Sequence, residues 1–189
     1  MVLQDNNSRA SKDRQRWDQR YREGTYAARR WPSAYLRQLR DDGLIQPGGR
    51  ALDVACGRGR NSLFLSAAGY AVDAVDVSAM AIAYAANAAI SRQVKVNWQC
   101  RDLLAEQQSM PKDTYSLIIM FRFIAPNLIP ILLHGLAPEG ILVIEEHLQW
   151  AGPEQISGPS SHRFRVTADE LSTQLAAVGV GFDVLNEFA

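Results

Sequence analysis

Ala51-Leu52-Asp53-Val54-Ala55-Cys56-Gly57-Arg58-Gly59-Arg60-Asn61, followed by Ser62-Leu63-Phe64-Leu65, decides how this chain folds. A short apolar run ends in an acidic residue, turns through two glycines one residue apart, and enters an apolar segment with helical spacing. This is the pattern of a strand, a tight turn and a helix start, which lets a nucleotide-like ligand approach bare backbone. Asp53 stands at the strand end, four residues before Gly57, and a second acidic residue, Asp76, closes the next strand-like run. The two carboxylates can serve different parts of one ligand.

Detail narrows the ligand. A dinucleotide-binding loop of the Gly-x-Gly-x-x-Gly type carries a third glycine three residues after the second. Here that position is Ser62. A pyrophosphate would also be repelled by a carboxylate as close to the loop as Asp53, whereas an ammonium group would be attracted. S-adenosylmethionine has a free amino acid end, a sulfonium and no phosphate, so the acid-then-glycine order favours it over NAD.

The run Cys56-Gly57-Arg58-Gly59-Arg60-Asn61-Ser62-Leu63-Phe64-Leu65 resembles class I S-adenosylmethionine-dependent methyltransferases, in particular those of the tellurite-resistance type. Thiopurine-type small-molecule methyltransferases share the broader pattern. The resemblance spans Trp17 to Phe188 and is strongest over Ala51–Ser78. One departure is Ala55, where many members carry the first glycine of the loop; an alanine is tolerated there if its φ is negative. A second is the C-terminus, because the family's sheet ends in an antiparallel strand for which this chain leaves no residues.

Length and composition agree. The chain has 189 residues, enough for one domain with a sizeable core, and 47% of them are hydrophobic. Residues 1–12 are polar and expected to be disordered; residues 13–189 form the methyltransferase-like domain. The formal net charge is zero, which argues against an electrostatic grip on nucleic acid or membrane. Arg14, Arg16, Arg20, Arg22, Arg29 and Arg30 cluster near the N-terminus but interleave with Asp13, Asp18 and Glu23, the pattern of a solvated helix face. Cys56 and Cys100 lack metal-ligand spacing, so no metal is expected, and two unpaired thiols suit a reducing, cytoplasmic setting. No apolar run has signal-peptide or membrane-spanning character.

The elements alternate along the chain. Helices are expected over Lys12–Arg22, Ala34–Asp41 (capped by Ser33), Asn61–Ala68, Ala79–Ala89 (capped by Ser78), Leu128–Leu136 and from the Thr167/Glu170 capping box to Ala177. Strands are expected over Ala51–Ala55, Ala71–Val75, Val94–Gln99, Tyr115–Met120, Ile141–Glu145 and Phe182–Glu187. A loop from Gln149 to Ser161 is long enough to act as a lid. This is an α/β chain with a single-domain, Rossmann-like, doubly wound and mainly parallel sheet, expected to lack the final antiparallel strand.

Open parallel sheets bind ligands outside the carboxyl ends of their central strands. Asp53 would meet the cofactor's ammonium, and Gly57 and Gly59 would let backbone approach its middle. Asp76 would accept from the ribose hydroxyls, since a vicinal diol offers two donors to one carboxylate. Asp102 and Leu103 would flank adenine, and Met120 would meet the cofactor from the fourth strand. Ala55, Cys56, Asn61 and Val77 complete the cofactor set. Trp17 and Tyr21, at i, i+4 spacing, either close over the cofactor, as in similar enzymes, or pin their helix to the body.

The acceptor side offers Arg122 and Phe123 after the fourth strand, His147 after the fifth, and His162, Arg163 and Arg165 beyond the lid. A histidine could act as a base and the arginines as an anion clamp. The resemblance implies transfer of the methyl of S-adenosylmethionine, leaving S-adenosylhomocysteine, to a small soft or anionic acceptor such as a tellurium, selenium or thiol compound. The expected partners are a small-molecule acceptor and no nucleic acid or membrane, with the chain a monomer or homodimer. The alternative is a cofactor-binding protein without turnover, acting as a sensor or assembly partner.

Overall fold

The computed structural model describes residues 2–104, 110–149, 158–159, 161–167 and 169–177. Five parallel strands lie in the order β3-β2-β1-β4-β5: β1 Arg50–Val54, β2 Ala71–Asp76, β3 Val96–Cys100, β4 Tyr115–Phe121 and β5 Leu136–Glu145. The order reverses at β1, whose neighbours are β2 on one side and β4 on the other. A crevice opens at that reversal, above the carboxyl ends of the strands. The expected strand Phe182–Glu187 and most of the Gln149–Ser161 loop lie outside the described residues.

Alternation along the strands builds two apolar layers. Leu117, Ile119 and Phe121 join Val72, Ala74, Leu36, Leu39 and Leu65 on one face. Ile118 and Met120 join Leu52, Val54, Val75, Leu128, Ile129 and Leu132 on the other. The first face is covered by α2 (Ala34–Asp41) and α3 (Arg60–Ala67), the second by α5 (Ile129–Gly135). A sheet covered on both faces needs strands apolar on both sides, which is why β4 reads as a continuous hydrophobic run.

Several boundaries differ from expectation. Helix α1 runs from Val2 to Arg22 rather than from Lys12, because no Pro or Gly interrupts residues 2–22; the expected disordered start is helical here. Helix α4 (Ala79–Arg92) is capped by Ser78, which accepts from the Ala81 N–H at 3.1 Å, and buries Ala81, Ala85 and Ala89. Ser33 does not cap α2; its hydroxyl donates to Glu145 and its N–H to Asn61 Oδ1 at 2.9 Å. Strand β5 starts at Leu136, not Ile141: Leu136 pairs with Tyr115, and Ile141 pairs with Leu117 after a bulge containing Glu139 at φ +61°. In α6 (Glu170–Ala177), Glu170 reaches back to the Thr167 N–H at 3.2 Å, one half of the expected capping box.

The β1–α3 loop takes three left-handed residues, Ala55 (φ +55°), Gly57 (φ +56°) and Gly59 (φ +74°). The condition under which an alanine is free of cost at position 55 is therefore not met, since its Cβ strains a left-handed backbone by about 1 kcal/mol. A Cβ on Gly59 would lie 2.5 Å from the Trp98 ring and 3.0 Å from the Ala85 methyl. That glycine lets the loop pack against β3 and α4.

At the amino end of the sheet, Asp73 is 2% exposed and gathers Arg50 Nε (2.7 Å), Asn97 Nδ2 (2.7 Å) and the Tyr115 hydroxyl (2.9 Å), joining all four strands from β3 to β4. Burial alone would raise its pKa, but those three donors outweigh it and hold the carboxyl below its usual range. Asp73→Ala should destabilise the fold by about 2–3 kcal/mol, since it orphans the Tyr115 hydroxyl and Asn97 while half-exposed Arg50 regains water. A depressed folded pKa means that this stability is present above the unfolded value and lost as pH falls through the folded one. Denaturant melts of wild type and variant should therefore converge on strong acidification. In the loop, Gly59→Ala should cost about 2 kcal/mol or more, whereas Ala55→Gly should leave stability unchanged or raise it by up to ~1 kcal/mol; midpoint shifts of opposite sign are the check.

Candidate active site at the carboxyl ends of the strands

A cavity of about 190 Å³ occupies the crevice, walled by the ends of β1, β2 and β4, the β1–α3 loop, and the segment Trp17–Arg29. It brings together Asp53, Ala55, Cys56, Gly57, Asn61, Asp76, Val77, Asp102, Leu103, Trp17, Tyr21 and Arg122, expected from sequence on separate elements. It also contains Tyr26, Arg29, Arg58, Arg60, Arg101, Phe121 and Phe123, most of which sequence reasoning missed. Met120 is 1% exposed, packed into the core, and does not line the cavity. The side chains of β4 alternate, so Phe121 takes the position expected of Met120.

Asp53 is 2% exposed, its Oδ2 accepting from the Ser62 hydroxyl at 2.5 Å. Burial pushes its pKa up to about 7; the Ser62 bond opposes this, neighbouring Asp76 adds to it, and Arg60 opposes it. Ser62, noticed in the sequence only for not being glycine, is thus the partner of the site's deepest carboxylate. Asp76 is 7% exposed and bonds at both oxygens, Oδ2 to the Gly57 N–H and Oδ1 to the Ser78 N–H, each at 2.8 Å. Burial raises its pKa despite these bonds. Asp102 accepts from the Leu104 N–H at 2.9 Å through Oδ1.

The roof is aromatic. Trp17, Tyr21 and Tyr26 form a triangle with ring centroids 6.0–6.4 Å apart. A Cβ on Gly57 would meet the Tyr21 hydroxyl at 2.7 Å, so this glycine admits Tyr21 to the loop. Burial, and then Asp76, raise the Tyr21 pKa and keep the phenol neutral. Helix α1 is fixed in place by Asp18, which accepts from the Ser78 hydroxyl at 2.6 Å and the Met80 N–H at 3.0 Å, and by Arg14, which donates to the Val77 carbonyl at 3.2 Å. Trp17 and Tyr21 both line the cavity, and Tyr21 also packs on the loop at Gly57. The arginine-rich segment is not uniformly solvated, because Arg16 and Arg20 lie over Trp17, and Arg29 lies over Tyr26 on the cavity wall.

Beyond β4 the wall is cationic. Arg122, at φ +60°, is held by an N–H bond to the Glu145 carbonyl (2.7 Å) and an ion pair to Glu145 Oε1 (2.6 Å). Glu145 Oε2 takes the Ser33 hydroxyl. Glu146, passed over in the sequence, accepts from the Phe123 N–H at 2.7 Å and is pushed by burial up to about 7. Cys56 is buried and its thiol pKa is raised by burial and by Asp53 and Asp76, which suits packing rather than a thiolate.

Neither His147, just after β5, nor His162 and Arg165, beyond the lid, joins the cavity wall. His147 is pushed down to about 4 by burial and by Arg122, Arg165 and Arg29, so it is neutral at pH 7. His162 is exposed in the short turn His162–Phe164, as is expected of a surface residue. Arg163 shares that turn, but its side chain lies outside the described residues. Arg165 spends its guanidinium on the Pro159 (2.9 Å) and Leu148 (2.7 Å) carbonyls, which makes it a loop tether rather than an anion clamp. Among the described residues no group of three or more His, Cys, Asp or Glu side chains is placed to hold a metal ion, and no helix is long and apolar enough to cross a membrane.

Comparison with known proteins adds to this geometry. The structure resembles a methyltransferase dependent on S-adenosylmethionine from Mesorhizobium loti (21% identity, 82% of each chain covered, TM-score 0.60). It resembles another from Aquifex aeolicus to a similar degree (21% identity, 76% of this chain and 78% of that one, TM-score 0.60). The same fold occurs in the [4+2]-cyclase SpnF (22% identity, 77% and 55%, TM-score 0.62). Over 81 residues the chain is 35% identical to hemagglutinin 1 of Eikenella corrodens, and it spans 27% of the length of that protein. The family model of the tellurite resistance protein TehB matches residues 37–140, more than half of the chain. The chain belongs to the tellurite resistance protein TehB family, and its fold is that of the class I S-adenosylmethionine-dependent methyltransferases.

Proposed function

We propose that this chain transfers the methyl group of S-adenosylmethionine to a small soft or anionic acceptor. The observation that carries the reading is the pairing of two buried carboxylates, Asp53 and Asp76, at the ends of adjacent strands with a cationic, aromatic wall beyond β4. The donor set suits a zwitterionic nucleoside. Asp53 faces the cavity as a carboxylate poised for an ammonium, Asp76 and Asp102 offer acceptors for hydroxyl and amino groups, and Leu103 and Val77 supply apolar contact.

When bound, the cofactor supplies a methyl group activated by a sulfonium. The chain's own part is to position and to exclude water. Trp17, Tyr21 and Tyr26 roof the cavity, while Phe121 and Phe123 dry the wall towards β4, the conditions under which in-line displacement needs little further help. Arg29, stacked over Tyr26 on the cavity wall, favours an acceptor that carries negative charge, while the Arg122 guanidinium is already paired with Glu145. A soft anion needs no general base, and neither His147 nor His162 lines the cavity. Tellurium, selenium and thiol compounds form the acceptor panel, and a cytoplasmic setting fits two cysteines that form no disulfide.

Calorimetric titration with S-adenosylmethionine and S-adenosylhomocysteine, followed by measurement of S-adenosylhomocysteine released with each acceptor, tests the reading. Binding weakened at least tenfold by Asp76→Asn, with turnover on one acceptor class, is expected. Binding without turnover on any acceptor would favour a sensor, and no binding by folded protein would overturn the cofactor assignment. Asp53 adds a pH signature. Because a ligand ammonium stabilises its carboxylate, affinity should rise with pH through about 7, and binding below that pH should release a proton, seen as a buffer-dependent heat. Asp53→Asn should remove both effects. A folded pKa raised above the unfolded value destabilises the ligand-free fold as pH rises, so the same variant should unfold at higher denaturant than wild type at pH 8 and at a similar one near pH 4.

A further inference from the structure

The ladder between β4 and β5 closes at the pair Phe121 and Glu145. One residue later the chain turns away: Arg122 takes φ +60°, its N–H still reaching the Glu145 carbonyl at 2.7 Å. The next N–H, that of Phe123, lies beyond the last pair of the ladder, and a side chain answers it, Glu146 Oε1 at 2.7 Å. Arg122 and Phe123 line the cavity, whereas Glu146 does not. Glu146 thus stands behind the wall and holds it by one bond. An amide oxygen would accept that bond without charge, and a buried carboxylate is the costlier choice. The charged groups facing Glu146 are Arg122, which favours its ionisation, and Glu145, which opposes it; burial outweighs both and brings its pKa to about 7. The group therefore changes charge near neutrality, and with charge its bond to a backbone N–H becomes roughly twice as strong.

We propose that Glu146 is a positioning residue for the acceptor: through the Phe123 N–H it fixes the Arg122–Phe123 wall, more firmly as a carboxylate than as a carboxylic acid. This rests on the methyl-transfer reading above and deepens it. In-line displacement needs the acceptor atom, the methyl and the sulfonium aligned, so a wall that shifts on the acceptor side lowers the rate without touching the cofactor. The two sides are separable in this fold, because Asp53 and Asp76 stand on β1 and β2 while the wall held by Glu146 follows β4. Consecutive residues at the end of β5 serve consecutive residues after β4: Glu145 holds Arg122, and Glu146 holds Phe123. The first hold is an ion pair that keeps its charge near neutrality; the second follows the proton.

The test uses tellurite, selenite and 2-mercaptoethanol as acceptors at saturating S-adenosylmethionine, which removes the effect of Asp53 on cofactor affinity. Glu146→Gln keeps an oxygen for the Phe123 N–H and loses the charge. The ratio of wild-type to Glu146→Gln kcat/KM for one acceptor cancels the acceptor's own titration. It should be near one at pH 6 and about threefold to tenfold at pH 8. Glu146→Ala should lose about tenfold or more at both pH values, while S-adenosylhomocysteine affinity stays within about twofold in both variants. The Phe123 amide proton resonance should titrate with a midpoint of about 7 in wild type and stay fixed in Glu146→Gln, a reading that stands if the alanine variant folds poorly. A ratio that is flat or falls with pH, an amide that does not titrate, or cofactor affinity that drops with kcat/KM would overturn the positioning role and leave methyl transfer intact. No turnover on any of the three acceptors by wild-type protein that binds S-adenosylhomocysteine would overturn both.

Discussion

A parallel sheet covered on both faces must send every connection across from one end to the other, and at the point where the winding direction changes the ends of two strands are left uncovered. In this chain that point falls beside β1, and the remainder of the site follows from it. The strand carries an acid near its end, the loop after it must turn sharply, and the next strand, β2, ends in a second acid two residues beyond the Ala74 that pairs with Asp53. Burying both carboxylates in that gap is unfavourable until something answers them. Ser62, the Gly57 N–H and the Ser78 N–H answer in part. Pressure towards the protonated form remains on both acids.

The covering of the crevice depends on the same loop. Gly57 has room only because it lacks a Cβ, and the room is taken by the Tyr21 hydroxyl. Gly59 does the equivalent on the side of Trp98 and Ala85. One glycine thus joins α1 to the ligand loop and the other joins the loop to the sheet edge. Asp18 then secures α1 to the start of α4 through Ser78, the residue that also caps that helix and donates its N–H to Asp76. Roof, ligand loop and second strand share one chain of hydrogen bonds.

Local signals carried most of this architecture. The apolar runs of β1, β2 and β4, the serine cap at Ser78 and the spacing of Asp53, Gly57 and Asp76 were legible because each depends on neighbours in sequence. What was hidden depends on partners far along the chain. Ser33 looked like a cap because nothing in its vicinity shows Glu145, 112 residues away, taking its hydroxyl. Tyr26 and Arg29 sit in a turn without periodicity, and only the fold shows them over the crevice. Met120 and Phe121 differ by one residue in a run apolar at both positions, so sequence could not say which faced the ligand. The left-handed backbone of Ala55 was signalled only by the glycine that similar proteins carry there, because alanine is not the residue that announces it.

Strand β2 carries two aspartates three residues apart whose environments push them in opposite directions. Asp73 is answered by three donors and prefers to be charged, while burial, with Asp18 nearby, pushes Asp76 the other way, as burial does Asp53 on the adjacent strand. Selection for a folded protein and selection for a bound ligand therefore act on different ends of the same strand. A library of variants sorted only for thermal robustness would retain Asp73 and shed Asp53. Sorted only for ligand capture, it would hold both, because the ligand loop needs the sheet that Asp73 ties together. Positions where the two sortings disagree trace the outline of the binding surface without any knowledge of the ligand.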